Sequence, residues 1–161
     1  MLNVLRNHVI DEGIYINSQK YLSKKLYENV LHLDNNELKI CHKISQGHLT
    51  VRGSERQNVR KAAQLFSNTI ANFIFQFMPN EFQAGQFILL INKLFDIFNS
   101  RLEVNKSNPA FTGSLDQILI LNDALFAIKN IKIPRINKNN ETVFRNAFMH
   151  FQIGIIQSIN A

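Results

Sequence analysis

Apolar residues recur along this chain mostly at spacings of three and four, the mark of helices that bury one face. The plainest case runs over residues 54 to 78, where positions 59, 62, 63, 66, 70, 73, 74 and 77 are apolar and Ser54 with Gln57 forms a capping-box pattern ahead of them. Pro79 stops that series, and Asn80 is placed to cap a second helix near 80 to 101, with apolar residues at 84, 87, 88, 91, 94, 95 and 98. The two helices are expected to pair antiparallel and to bury Val59, Phe66, Ile70, Phe73, Phe77, Phe87, Ile91, Leu94 and Phe98. Ser114 and Gln117 repeat the capping pattern before a third helix, 114 to 130, and Pro134 is read as a stop before a last one, 141 to 159.

Upstream the pattern is less regular. Leu2, Leu5 and Val9 suit a short helix ending at Asp11-Glu12-Gly13; Ser23 can cap another as far as Leu33, with Leu26, Tyr27, Val30 and Leu31 on one face and Asp34-Asn35-Asn36 as its breaker. Residues 38 to 53 hold two glycines and no period, so they read as a loop with one short strand or turn, and 104 to 113 also has a loop's composition. The fold class expected is all-α, with about four to six helices and little or no sheet.

Composition narrows the class. With 161 residues and 45% of them hydrophobic, the chain can bury one core, and 19% charged residues with 13 phenylalanines exclude a disordered polymer. A single cysteine excludes a disulfide framework and a multi-cysteine zinc site, and leaves a reducing compartment as the default. No apolar run approaches the ~20 residues of a membrane span, and residues 1 to 10 show no secretory signal, so no membrane association is expected. The net charge of +6 is uneven: Lys39, Lys43, Arg52, Arg56, Arg60 and Lys61 stand against Glu55 alone, and Lys129, Lys132, Arg135, Lys138 and Arg145 against Glu141. Such stretches suit a phosphate-bearing partner, although solvated helix faces produce the same pattern.

Conventional chemistry is thin. Cys41, His42 and His48 are the one cluster of potential metal ligands, and a fourth ligand is not visible, so no metal site is assigned. There is neither a Gly-x-Ser-x-Gly elbow nor a Gly-x-x-x-x-Gly-Lys-Ser/Thr loop. On the second helix Asn92, Asp96, Asn99 and Glu103 fall at i, i+4, i+7 and i+11, a polar stripe suited either to solvent or to a base edge or sugar hydroxyl, with Phe95 beside it.

Five segments together are recognisable. The run Arg56 to Ser67 is similar to a pattern of P-element-type DNA transposases and their THAP-domain relatives. Leu38 to Ile44 followed by His48-Leu49, the motif Leu94-Phe95-Asp96-Ile97-Phe98-Asn99-Ser100-Arg101, the segment Phe151 to Ser158 and the opening Leu2 to His8 resemble further segments of that family in the same order. The resemblance implies a helical GTP-binding insertion domain over 34–161, preceded over 1–33 by a short remnant of an RNase H-like catalytic domain. It implies also that the chain lies between the second catalytic aspartate and the final glutamate, holding no catalytic residue. Residues 1 to 33, lacking the sheet they would pack on, are then expected to fray.

By the same resemblance the nucleotide-binding residues are Lys43 near the phosphates, Val59 and Phe95 as apolar lining, and Ser67, Asp96 and Asn99 as polar contacts. The implied ligands are GTP, with Mg2+, and DNA in a full-length context; the implied location is nuclear. Two departures stand out. Asn58 replaces a lysine, with Arg56, Arg60 or Lys61 as possible substitutes, and a further aspartate of the family falls beyond Ala161. The alternative is a helical nucleic-acid-binding or protein-interaction module without a nucleotide pocket.

Overall fold

The computed structural model describes residues 1–35, 39–99, 111–146 and 148–160. Helices dominate it: α1 (Leu2–Asp11), α2 (Lys24–Leu33), α3 (Val59–Leu65), α4 (Asn68–Phe77), α5 (Phe82–Asn99), α6 (Leu115–Asn130) and α7 (Met149–Asn160). The helical class expected from the pattern therefore holds. A small sheet joins it, built from β1 (Ile14–Tyr15), β2 (Tyr21–Leu22), β3 (Lys132–Ile136) and β4 (Thr142–Asn146) in the order β2-β1-β3-β4, every pair antiparallel.

The expected helix over 54 to 78 is two helices. Phe66 departs from helical geometry (φ −97°, ψ 41°), and the Ser67 side chain accepts from the Ile70 amide to cap α4 anew. Its expected start is also displaced: Ser54 lies in a short 3-10 turn, 53–57, and the cap is Asn58, whose side chain accepts from the Lys61 amide at 3.0 Å. Val59, the first residue of α3, is 46% exposed and Phe77, the last of α4, 45% where burial was expected, and Phe98 near the end of α5 is 44% exposed; all three stand at helix ends, where the core no longer covers them. Phe66, Ile70, Phe73, Phe87, Ile91 and Leu94 are buried as expected. Asn80 does not cap α5 directly but sits in a 3-10 turn, 79–81, that leads into it.

The C-terminal expectation needs the larger correction. Residues 142–146 form a strand, and Pro134, read as a helix stop, lies within β3 opposite Phe144. Asn137 explains the turn: its side-chain oxygen accepts from the amides of Asn139 and Glu141 at 2.8 and 2.9 Å, and Asn140 adopts φ 60°, a conformation asparagine tolerates. Ser114 caps α6 through the Gln117 amide as its sequence implied.

Residues 1–33 are not frayed in this fold. Leu2, Leu5, Val9, Ile14, Leu22, Tyr27 and Val30 belong to the same core as α4, α5 and α6, and β1 pairs with β3 through Tyr15 and Lys132. Gly13, at φ 72°, turns the chain into β1, and a Cβ there would fall 2.0 Å from the Tyr21 hydroxyl, which donates to the Glu12 carbonyl at 2.6 Å.

Candidate nucleotide site

Local hydrogen bonds, more than helix propensity, fix the segment that carries Lys43. Asp34, 2% exposed just past α2, accepts from the amides of Ile40 and Cys41 at 2.8 and 2.7 Å. Cys41 and Ile44 are buried, which leaves His42 and Lys43 outward on the turn between them. Burial pushes the Cys41 thiol up to about 11, with the Asp34 carboxylate adding to the effect. His48 is tied at Nδ1 to the Ser45 amide at 3.1 Å and at Nε2 to Gln64 Oε1 at 2.7 Å. Among the described residues no three His, Cys, Asp or Glu side chains converge as metal ligands.

This segment, α3 and the first turn of α4 enclose a cavity of about 270 Å³. His42, Lys43, Arg60, Gln64, Ser67 and Thr69 supply its polar wall, and Ala63 and Ile70 part of its apolar one. A second, open cavity of about 560 Å³ lies among α4, α5 and α6, lined by Asn68, Asn92, Lys93, Asp96, Asp116 and Gln117. Ser67 faces one cavity and its neighbour Asn68 the other, so the start of α4 stands at the boundary between them. Burial raises the Asp96 pKa, and the hydrogen bond from Asn92 Nδ2 at 3.0 Å opposes that rise.

Of the residues singled out in the sequence, Lys43 and Ser67 are thus brought together, and Asp96 lies in the adjoining cavity. Val59, Phe95 and Asn99 line neither of these two cavities: Val59 is at the first position of α3, Phe95 packs half-buried against the core, and Asn99 is the exposed last residue of α5. The polar stripe is real as far as Asn92 and Asp96, which bond to each other, while Glu103 lies outside the described residues. Gln64 was not singled out, and Arg60 was named only within a basic stretch and as one of three cations that could stand in for the lysine replaced by Asn58. Arg60 and Gln64 share a face of α3 at i and i+4, but Ser67 lies past the break at Phe66, so periodicity alone does not bring the three together.

The first cavity holds cations without a carboxylate among its described lining residues, and the second holds Asp96 and Asp116 beside Lys93. The model of the TNP-like, GTP-binding insertion domain fits residues 1–110, and the chain belongs to that family. Over 138 residues it is 36% identical to the Transposable element P transposase of Drosophila melanogaster, an alignment covering 81% of this chain and 18% of that protein. Its fold matches a chain of the Drosophila P element transposase strand transfer complex with a TM-score of 0.76 and 32% identity, over 99% of this chain and 36% of the other. The chain therefore spans only a minor part of the length of these relatives. Among the described residues no helix is long and apolar enough to cross a membrane.

Proposed function

We propose that this chain is the guanine-nucleotide-binding insertion module of a P-element-type DNA transposase, holding GTP without hydrolysing it and supplying no strand-transfer chemistry. The observation that carries the reading is the adjacency of two unlike cavities: Lys43, Arg60 and Ser67 line one, and Asp96 lines the other across the start of α4. The donor set fits the ligand. Cationic and hydroxyl groups suit phosphate oxygens, and an ionised aspartate accepts from guanine N1–H and its exocyclic amine, whereas adenine presents an acceptor at N1. Bound GTP contributes negative charge and acceptor oxygens that join the Lys43 segment to α3 and α4. Mg2+ would accompany those phosphates. Val59, Phe95 and Asn99 remain assigned to the nucleotide by family resemblance alone.

The acids support a binding role over a catalytic one. Asp11 is engaged by Arg56 at 2.7 Å, Asp34 by two backbone amides, and Asp96 and Asp116 stand in a cavity with Lys93. A metal-dependent strand-transfer site needs several carboxylates gathered on metal ions. In this reading residues 1–33 derive from an RNase H-like segment and 34–161 form the insertion domain, both within one core. The basic stretches 39–61 and 129–145 then face DNA in a nuclear transposase.

Calorimetry with GTP and ATP on the native chain, Asp96→Ala and Lys43→Ala tests the reading. Expected is a preference for GTP, lost with Asp96→Ala, and at least tenfold weaker GTP binding in Lys43→Ala, as removal of a charged hydrogen bond of ~1.5 to 3 kcal/mol implies. Equal affinity for both nucleotides, or unchanged GTP binding in both variants, would overturn it. Release of phosphate from GTP, or metal-dependent cleavage of labelled DNA by the pure chain, would overturn the non-catalytic part.

A further inference from the structure

Three basic residues crowd the start of α3, and their surroundings separate them. Arg56 Nη1 is held by the Asp11 carboxylate at 2.7 Å and the Val51 carbonyl at 3.1 Å. Lys61 Nζ is held by Glu55 at 2.7 Å and the Gly47 carbonyl at 3.3 Å. Arg60 makes no side-chain hydrogen bond or ion pair with any described residue, and it lines the same cavity as Lys43. No carboxylate is among the described residues lining that cavity. Two cations facing a shared space with no counter-charge favour an anion between them.

A third donor is fixed by its neighbours. The Ser45 backbone N–H can only donate, so His48 Nδ1 accepts, Nε2 carries the proton, and Gln64 Oε1 receives it at 2.7 Å. That leaves the Gln64 NH2 group without a partner among the described residues, on the wall of the same cavity.

We propose that Arg60, together with Lys43 and the Gln64 amide, forms the subsite for the polyphosphate of the bound nucleotide, with Arg60 as its second cation. This rests on the nucleotide reading above and adds to it the residue that fixes affinity for the phosphate chain. The guanidinium offers a planar fork to two phosphate oxygens, a geometry a lysine at the same place lacks. Arg60 is exposed, so its replacement leaves the core intact.

The test titrates the 161-residue chain with GTP, guanosine, sodium tripolyphosphate and a short DNA duplex, in the native form and as Arg60→Gln, Arg56→Gln and Lys61→Gln. Arg60→Gln is expected to weaken tripolyphosphate and GTP binding by about ten- to a hundredfold and guanosine binding not at all, while the other two variants change each by less than about threefold. Tripolyphosphate bound equally by native and Arg60→Gln, or not bound by the native chain, overturns the proposal. So does a duplex whose binding falls further on Arg60→Gln than tripolyphosphate does, since Arg60 then serves DNA. Arg60-dependent tripolyphosphate binding without preference for GTP over ATP would support the subsite and remove only the guanine reading. GTP binding that needs Asp96 but not Arg60 would do the reverse.

Discussion

Arg6 Nη1 donates to the carbonyl of Asn58 at 3.3 Å, joining a fully buried side chain of α1 to the residue that caps α3. Its Nη2 donates to the Glu55 carbonyl, and neighbouring Asn7 donates to the Arg56 carbonyl at 3.0 Å. Burial lowers the Arg6 pKa, partly offset by Glu55, yet the guanidinium keeps its charge at neutral pH. The start of α3, and with it Arg60, is thereby positioned from the first helix of the chain.

Arg6→Ala is accordingly expected to destabilise the fold by about 2 to 4 kcal/mol, because it removes core packing and one of the two hydrogen bonds accepted by each of the Asn58 and Glu55 carbonyls, which keep the backbone donors Ala62 and Asn58. Urea unfolding followed by circular dichroism measures this. A loss under ~1 kcal/mol would show that water replaces the guanidinium without penalty.

Asn58 gives a second expectation. Its side-chain oxygen caps α3 and its amide points toward Glu55 at 3.5 Å, so it is spent on local structure and lines neither cavity. Asn58→Ala should lower stability by ~1 kcal/mol while GTP affinity changes by less than about threefold. A larger fall in affinity than in stability, measured by calorimetry and urea titration on the same preparation, would place Asn58 at the ligand.

How far the sequence reveals this fold depends on whether local pattern and tertiary contact agree. Over α6 and the middle of α5 they do, since Phe87, Ile91 and Leu94 face the core and Ser114 caps where its position implies, while the ends of α5 depart at Asn80 and Phe98. At Phe66 they part: the apolar series continues without interruption, and only the cap formed by Ser67 marks the new helix. The β3–β4 hairpin was hidden because its register rests on Asn137 and Asn140, while Pro134 gave a stronger local signal for a helix end. In the site, Lys43 and Ser67 meet although they are far apart in sequence, and periodicity within one helix cannot report such a pairing. Arg60 was one of three equivalent-looking cations until Asp11 and Glu55 claimed the other two.

Gly85 tests the packing between α4 and α5. A Cβ there would lie 2.6 Å from Phe75 Cε1 and 3.2 Å from Ile74 Cγ2. In an open helix Gly→Ala would stabilise by up to ~1 kcal/mol, but here the displaced ring outweighs that gain, and Gly85→Ala should cost about 1 to 3 kcal/mol. Thermal melting decides the sign: an unchanged or raised midpoint would mean that Phe75 swings aside freely.

Asp96 links the candidate site to stability through pH. Burial raises its pKa in the folded chain above the ordinary 3.8, with the Asn92 hydrogen bond acting against the rise, so the folded state holds this proton more tightly than the unfolded state does. The contribution is therefore fully present below the unfolded pKa and is lost as pH rises through the folded value. Asp96→Asn removes the ionisation and keeps the shape, and it should flatten this part of the profile and leave the variant more stable than the native chain at neutral pH. The same change reverses the hydrogen-bonding character at one oxygen, since an amide nitrogen donates where a carboxylate accepts, so a guanine edge would lose an acceptor. Stability up and GTP preference down in one variant is the expected result, read by melting at several pH values and by competition between GTP and ATP. A variant less stable than the native chain at neutral pH would mean that the carboxylate's partners in the fold outweigh its desolvation.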